Sequence, residues 1–432
     1  MDGLSLGIDF GTSGARAIAI DSRRQVYSET RCDFEACQAS ELIPQWRGAL
    51  FNLLDQMPRA VCLRLTAIAI NGTSGTVLRC DRQGNSIGEP ILYNDGRGKD
   101  VLDTIDEIAP AEHVVRSASS SLAKLLWWQR HDPLDGLGSV YFLHQADWLS
   151  FLLHGQLGVS DYHNSLKLGY DVEALTYPKW LVALPHTLVL PRVVPPGTPI
   201  APVQAEIAER YGMPQSSLVC AGTTDSIAAF LASGAAQPGE AATSLGSTLV
   251  LKLLSPQRVE QSASGIYSHR WGDRWLVGGA SNSGGAVLAK FFDAEAIAAL
   301  SQQIHPETDS GLDYYPLLQP GERFPINDPE LPPRLTPRPQ TPALFLQGLL
   351  EGMARIEALG YEKLQALGAA PLKRVYSAGG GAKNSAWSTI RSRYLGVSVV
   401  EATHGEAAYG TARLAQQRAL WGDGIVMGNG GS

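Results

Sequence analysis

Near the start of the chain a short apolar run, LSLGI at 4–8, ends on Asp9 and a turn of small residues, and apolar positions resume at 15–20. Two such runs so close together predict a β-hairpin, and residues 25–34 extend it to a three-stranded antiparallel meander. A helical pattern over 44–57 leads to LTAIAI at 65–70, a strand that ends in NGTSG at 71–75. Another helical run covers 121–130. A proline-rich stretch at 193–202 then joins a strand beginning near 219, which ends at GTTD, residues 222–225. A helix over 226–236 and the breaker Gln237-Pro-Gly239 follow. The segment 243–254 repeats the opening pattern of strand, Gly-Ser-Thr turn and strand, and the chain continues in alternating helices and strands. Residues 316–342 are dense in proline and predict a surface crossing without regular structure; residues 428–432 predict a disordered end.

A recurring hairpin unit implies internal duplication, and 432 residues exceed one comfortable core. The expected architecture is therefore α/β in two domains, 1–228 and 229–432. Apolar residues make up 44% and charged residues 18%, as in a globular protein, and the net charge is −7. An acidic balance argues against sequence-independent nucleic-acid binding but not against phosphate binding by backbone dipoles and a metal. No apolar run approaches the roughly 18 residues that span a membrane, and no leader pattern opens the chain, so a cytoplasmic protein is expected. Cys32, Cys37, Cys62, Cys80 and Cys220 form no C-x-x-C pair, and the nine histidines show no metal-ligand spacing.

The candidate chemistry sits in the turns. No G-x-x-x-x-G-K-[ST] loop is present, so a phosphate cradle must come from the hairpins: Gly11, Thr12 and Ser13 in the first, Gly246, Ser247 and Thr248 in the second. Asp9 is a hard oxygen ligand of the kind Mg²⁺ prefers; it also suits an ordinary turn. Asp225 stands at a strand end just before a helix, where it can act as a general base or simply cap the helix. Near the other end, Gly380 and Gly381 permit close approach of a flat ring to backbone, Asn384 can bond its polar edge, and Trp387 offers an aromatic face or a core side chain. Gly72, Ser74, Asn94, Asp95 and Arg97 gather on strand-end loops, where α/β proteins place ligands. Together the segments read as a split ATP site with a carboxylate beside it.

Eight motifs in order carry a resemblance: GIDFGTSGAR at 7–16, GTTD at 222–225, SLGST at 244–248, GGASNSGG at 278–285, PGER at 320–323, QGLLEG at 347–352, SAGGGAKNSAW at 377–387 and EAAYGTA at 406–412. The chain resembles the FGGY carbohydrate kinases of the actin/hexokinase/Hsp70-like superfamily, and within them the short pentulose kinases of cyanobacteria and plants. The resemblance implies a duplicated, ribonuclease H-like two-domain fold with an interdomain cleft, and ATP and Mg²⁺ as cosubstrate and cofactor. It implies Asp225 as catalytic base, with Asp9 and Thr12 beside it and Asp9 and Asp225 near the metal. Sugar contacts fall on Asp9, Gly72, Ser74, Asp95 and Asp225, and the nucleotide on Gly380, Gly381, Asn384 and Trp387. Xylulose kinases commonly carry Gln-Met-His-Gly where this chain has NGTSG at 71–75, which leans the expected substrate toward D-ribulose, with D-xylulose or another polyol as the alternative. Outside that class, the superfamily core also serves ATP-driven binding proteins.

Overall fold

The computed structural model describes residues 3–134, 138–184 and 188–417; the expected disordered end at 428–432 lies outside them. Among the described residues two compact units emerge, one comprising 3–232 and 406–417, the other 233–405.

In the first unit, strands β1 (Leu4–Phe10), β2 (Gly14–Ile20) and β3 (Val26–Asp33) form the expected meander, and β4 (Leu65–Gly72) pairs parallel to β1. Strands β5 (Pro199–Pro202) and β6 (Leu218–Cys220) extend the sheet, and the short β7 (Thr223–Thr224) pairs parallel to the end of β4. The pleat explains why β1 reads as nearly all apolar: it is covered on both faces. Leu4, Leu6, Ile8 and Phe10 pack with Trp46, Leu50 and Leu53 of α1 (Leu42–Gln56) and with Trp148 and Leu149 of a helix at Gln145–His154. The alternate residues face the final helix, Ala407–Gln416: a Cβ on Gly7 would lie 2.1 Å from the Ala408 carbonyl oxygen.

That last helix falls, by chain order, within the expected second domain. The 229–432 division follows chain order, whereas the helix packs in the first unit. The fit is between small residues. Gly410 sits so close to the helix Asp225–Ser233 that a Cβ would meet Ala228 O at 1.8 Å, and Ala415 packs with Ala67, Ala69 and Cys220.

The second unit repeats the plan. Its hairpin, β8 (Glu240–Leu245) and β9 (Leu249–Ser255), continues into β10 (Tyr267–Trp271) and β11 (Arg274–Ser281), while β12 (Arg374–Ala378) pairs parallel to β8 and β13 (Ser398–Glu401) to β12. The sequence 3-2-1-4 of the first sheet thus recurs as 11-9-8-12. A 25-residue helix, Pro342–Ala366, is buried along most of its length. The absence of side chains at Gly348 and Gly352 makes a groove that receives Leu312, Tyr314 and Pro316. The proline-rich segment runs from there as expected, with isolated bridges only. Its Glu322 is 2% exposed and accepts from Ser281 Oγ (2.6 Å), the Asn282 amide (2.7 Å) and Tyr315 Oη (3.0 Å), so this motif tethers the 278–285 segment.

Candidate active site

Register decides where the acidic residues of the first unit meet. Asp9 of β1 pairs with Asn71 of β4, and Asn71 pairs with Thr223 of β7. With about 4.8 Å between strands, Asp9 and Thr223 stand about 10 Å apart at the carboxyl ends of parallel strands. The chain then turns from Thr224 into α2 (Asp225–Ser233), whose first residue is Asp225.

Part of Asp9 reaches the surface, but its Oδ1 is enclosed and has no hydrogen-bond partner among the described residues. Burial lifts the Asp9 pKa from 3.8 to about 7; the charges of Asp225 and Glu406 act in the same direction, against an Asn71 hydrogen bond and Arg16. A carboxyl group so placed is a proton or cation site in waiting. Asn71 is itself held by donation from Nδ2 to Thr411 Oγ1 at 2.6 Å, and Arg16 pairs with Glu406 and, at 3.4 Å, with Glu29. Asp225 is half-buried, and its Oδ1 accepts from the Ser226 amide at 2.6 Å at the start of the helix. Before it, Thr224 is fully buried, with its Oγ1 unpartnered among the described residues.

The first hairpin turn exposes Thr12 and Ser13. Its two glycines have different reasons. A Cβ on Gly14 would lie 2.8 Å from Cys32 O of the neighbouring strand, whereas one on Gly11 would meet only Gly14 O at 3.5 Å. Gly14 is required by the fold, whereas packing among the described residues does not require a glycine at position 11.

A cavity of about 330 Å³ opens beside this turn, lined by Gly11, Thr12, Ser13, Thr73, Tyr93 and Gln145 among others. None of the expected sugar residues, Asp9, Gly72, Ser74, Asp95 and Asp225, lies on its wall, which holds Thr73, Leu92 and Tyr93 instead. The cause at Gly72 is Gln145, whose Oε1 lies 2.9 Å from where a Cβ would stand. Asp95 is engaged by Arg97, which donates from Nε at 2.9 Å and Nη2 at 2.7 Å. Burial works against the ionised form of Asp95, but those bonds hold its carboxyl below the usual range. Asn94 is exposed on the same loop.

In the second unit a larger cavity, about 860 Å³, is lined by Gly246, Ser247, Gly380, Gly381, Asn384 and Trp387, with an apolar wall of Leu288, Phe292 and Ile297. Thr248 lies just past its rim in the same turn. Nothing within 4 Å would oppose a Cβ on Gly380, while one on Gly381 would strike the Trp387 ring at 2.4 Å. Trp387 is 2% exposed, so it is a buried wall and not an open aromatic platform. Asn384 caps its helix, Ser385–Leu395: Oδ1 accepts from the Trp387 amide at 3.0 Å and Nδ2 donates to Ser301 Oγ at 2.8 Å. One N–H and one lone pair remain for a ligand.

Beneath the cavity a buried ion pair binds its three supports together. Arg391, on the helix that Asn384 caps, donates to Glu357 at 2.6 and 2.7 Å and also to Ser377 of β12; Thr243 of β8 donates to Glu357 at 2.6 Å. β8 runs into the Gly246 turn and β12 into the Gly380 loop, so the pair fixes both relative to the helix.

Comparison with known proteins places the chain in a family. Residues 4–232 match the model of the FGGY family of carbohydrate kinases, N-terminal domain, and residues 241–418 that of its C-terminal domain. The chain is an FGGY-family carbohydrate kinase. This FGGY kinase is 26% identical over 441 residues to the xylulose kinase of Escherichia coli K12, covering 95% of this chain and 89% of that protein. It superposes on the crystal structure of a xylulose kinase from Rhodospirillum rubrum with a TM-score of 0.81 at 22% identity, covering 98% and 91% of the two chains. The Plasmodium falciparum glycerol kinase with ADP gives 0.81 at 18% identity, with the same coverage. The two-domain fold is thus that of FGGY kinases.

Sequence reading of the FGGY kinase missed Asn71, Thr411, Arg16 and Glu406 around Asp9, and Thr73 and Gln145 in the cavity wall. Glu406 and Thr411 lie in a recognised motif, but their distance along the chain hid their link to Asp9. Nothing around Gln145 signalled a site. Among the described residues no group of three or more His, Cys, Asp or Glu is placed to hold a metal, and no helix is long and apolar enough to cross a membrane.

Proposed function

We propose that this kinase transfers the γ-phosphoryl group of ATP to the terminal hydroxyl of a 2-ketopentose, D-ribulose foremost, giving D-ribulose 5-phosphate. The observation that carries the proposal is the enclosed Asp9 carboxyl group with Asp225 close enough to raise its pKa. An enclosed carboxyl group whose ionised form is further opposed by a second acid is stabilised by a bound proton or cation. The two acids suit Mg²⁺, which takes few protein ligands and completes its shell with phosphate oxygens and water. Asp9, with Asp225 nearby, would hold the ion, which supplies charge neutralisation of the phosphates.

The protein's own groups do the rest. Asp225 accepts the proton of the attacking hydroxyl. Gly11, Thr12 and Ser13 of the first hairpin and Gly246, Ser247 and Thr248 of the second donate backbone and hydroxyl hydrogens to the phosphates. The second unit's cavity takes the adenosine against Leu288, Phe292 and the buried Trp387, with Gly380 leaving space at its edge.

Gly11 gives a prediction specific to this cradle. Gly11→Ala should leave the thermal midpoint unchanged, because among the described residues the added methyl meets only Gly14 O at an ordinary contact distance, yet lower kcat/KM for ATP by about tenfold or more. Gly14→Ala should instead lower the thermal midpoint, through the clash with Cys32 O. Thermal unfolding and ATP titration of both variants separate the two roles.

Support for D-ribulose is the NGTSG segment at 71–75 in place of Gln-Met-His-Gly. The relatives' own name, xylulose kinase, favours D-xylulose as the second reading. Sugar-dependent ADP release with D-ribulose, D-xylulose, L-ribulose and glycerol decides the matter: the highest kcat/KM should be for D-ribulose. A higher value for D-xylulose replaces the substrate and keeps the mechanism. Stimulation by none of them removes the ketopentose assignment.

A further inference from the structure

At the back of the first unit's cavity a chain of hydrogen bonds runs in one direction. The Tyr93 amide donates to Thr76 Oγ1 at 3.0 Å, which leaves the Thr76 hydroxyl proton for Thr73 Oγ1, 2.6 Å away. The Thr73 hydroxyl in turn reaches Gln145 Oε1 at 3.2 Å, and the Thr73 amide N–H donates to the same oxygen at 3.2 Å. A backbone N–H can only donate, so the carboxamide is fixed with its oxygen toward Thr73. Gly72 leaves the room this requires. Gln145 is 2% exposed and lines the cavity together with Thr12, Ser13 and Tyr93. Its Nε2 has no hydrogen-bond partner among the described residues. The cavity therefore presents a positioned amide donor whose own acceptor is already used.

Such a group fits one kind of sugar oxygen better than another. A hydroxyl both donates and accepts, and Thr12 and Ser13 can answer it either way. A carbonyl oxygen only accepts, which matches a donor that has no acceptor to offer. Resting on the sugar-kinase reading above, we infer that Gln145 donates its Nε2 hydrogen to the keto oxygen of the 2-ketopentose, and so selects the ketose over the matching polyol. A pentitol hydroxyl can accept the same hydrogen, but it brings a hydrogen of its own that Gln145 cannot accept, and leaving that hydrogen unpaired disfavours the polyol.

The test uses the full chain with Mg²⁺-ATP and whichever ketopentose the wild type phosphorylates best. It compares wild type, Gln145→Glu and Gln145→Met by kcat/KM for that ketose and by the inhibition constant of the matching pentitol, competing with the ketose. Gln145→Glu keeps the acceptor for Thr73 and replaces the donor with a second oxygen. It should lower kcat/KM for the ketose by about tenfold or more, move the pentitol constant by less than about threefold, and leave KM for ATP unchanged. Gln145→Met should also lose ketose preference, and the unchanged KM for ATP marks either variant as folded. Ketose kcat/KM within about threefold of wild type in both variants, or equal losses for ketose and pentitol, would overturn the inference while the kinase reading stood. A wild type inactive on every ketopentose would overturn the reading itself, and this inference with it.

Discussion

Replacing Asp225 with Asn should lower kcat for sugar phosphorylation by about 10²–10⁴-fold, the usual contribution of a positioned general base, with KM for the sugar little changed. The side chain stands where β7 turns into α2, and its Oδ1 holds the Ser226 amide at 2.6 Å. Asn keeps that acceptor oxygen, so the helix start survives and the loss reports on proton transfer and charge, not on folding. Asp225→Ala removes both and should also lower the thermal midpoint. The Asn variant has a second expected effect: with the Asp225 charge gone, one cause of the raised Asp9 pKa disappears, and Asp9 should ionise at lower pH. Steady-state kinetics, circular dichroism and the pH dependence of divalent-ion binding read the three effects separately. Asp225→Asn protein with near wild-type kcat would end the assignment of the base.

Asp9→Asn should make the protein more stable at neutral pH while abolishing activity. An acid whose folded pKa lies above its unfolded value binds protons more tightly when folded. Stability therefore falls as pH rises from about 4 toward 7, and the loss is complete above the folded value. For Asp9 the rise from 3.8 to about 7 corresponds to up to about 4 kcal/mol against the ionised folded state. In denaturant titrations without divalent cations, the variant should exceed wild type above pH 7 and the gap should close near pH 4. Added Mg²⁺ should stabilise wild type more than the variant, by binding linkage. A constant difference from pH 4 to 8, or a less stable variant at pH 8, would contradict the strained carboxyl. The same strain explains why an acidic residue occupies a nearly all-buried strand: stability is given up there for a cation-binding group.

The two hairpins and the strand ends were legible in the sequence because they obey short-range rules. Apolar alternation broken by Gly, Ser and Thr marks a turn wherever it falls, and the turn at Gly246 matched the one at Gly11. Asp9, Thr12 and Asp225 were proposed for that reason. What escaped depends on contacts hundreds of residues apart. The helix Ala407–Gln416 looks like an ordinary end to the second domain, and only the fit of Gly410 against Ala228 and of Ala415 against Ala67 shows that it closes the first unit. That Thr73 rather than Gly72 lines the first unit's cavity was not legible, because it depends on how Gln145 enters from a different helix. Trp387 and Asn384 line the second unit's cavity, but their side chains are largely occupied by the fold, a distinction that needs burial and hydrogen-bond partners.

The most direct test of the central claim is identification of the product by ³¹P NMR after incubating the wild-type chain with Mg²⁺-ATP and D-ribulose. The account predicts one ketopentose 5-phosphate for each ADP formed, and neither signal growing when the sugar is omitted. ADP accumulating at the same rate with and without sugar, and no sugar phosphate, would contradict it and point to an ATP-driven protein without sugar chemistry.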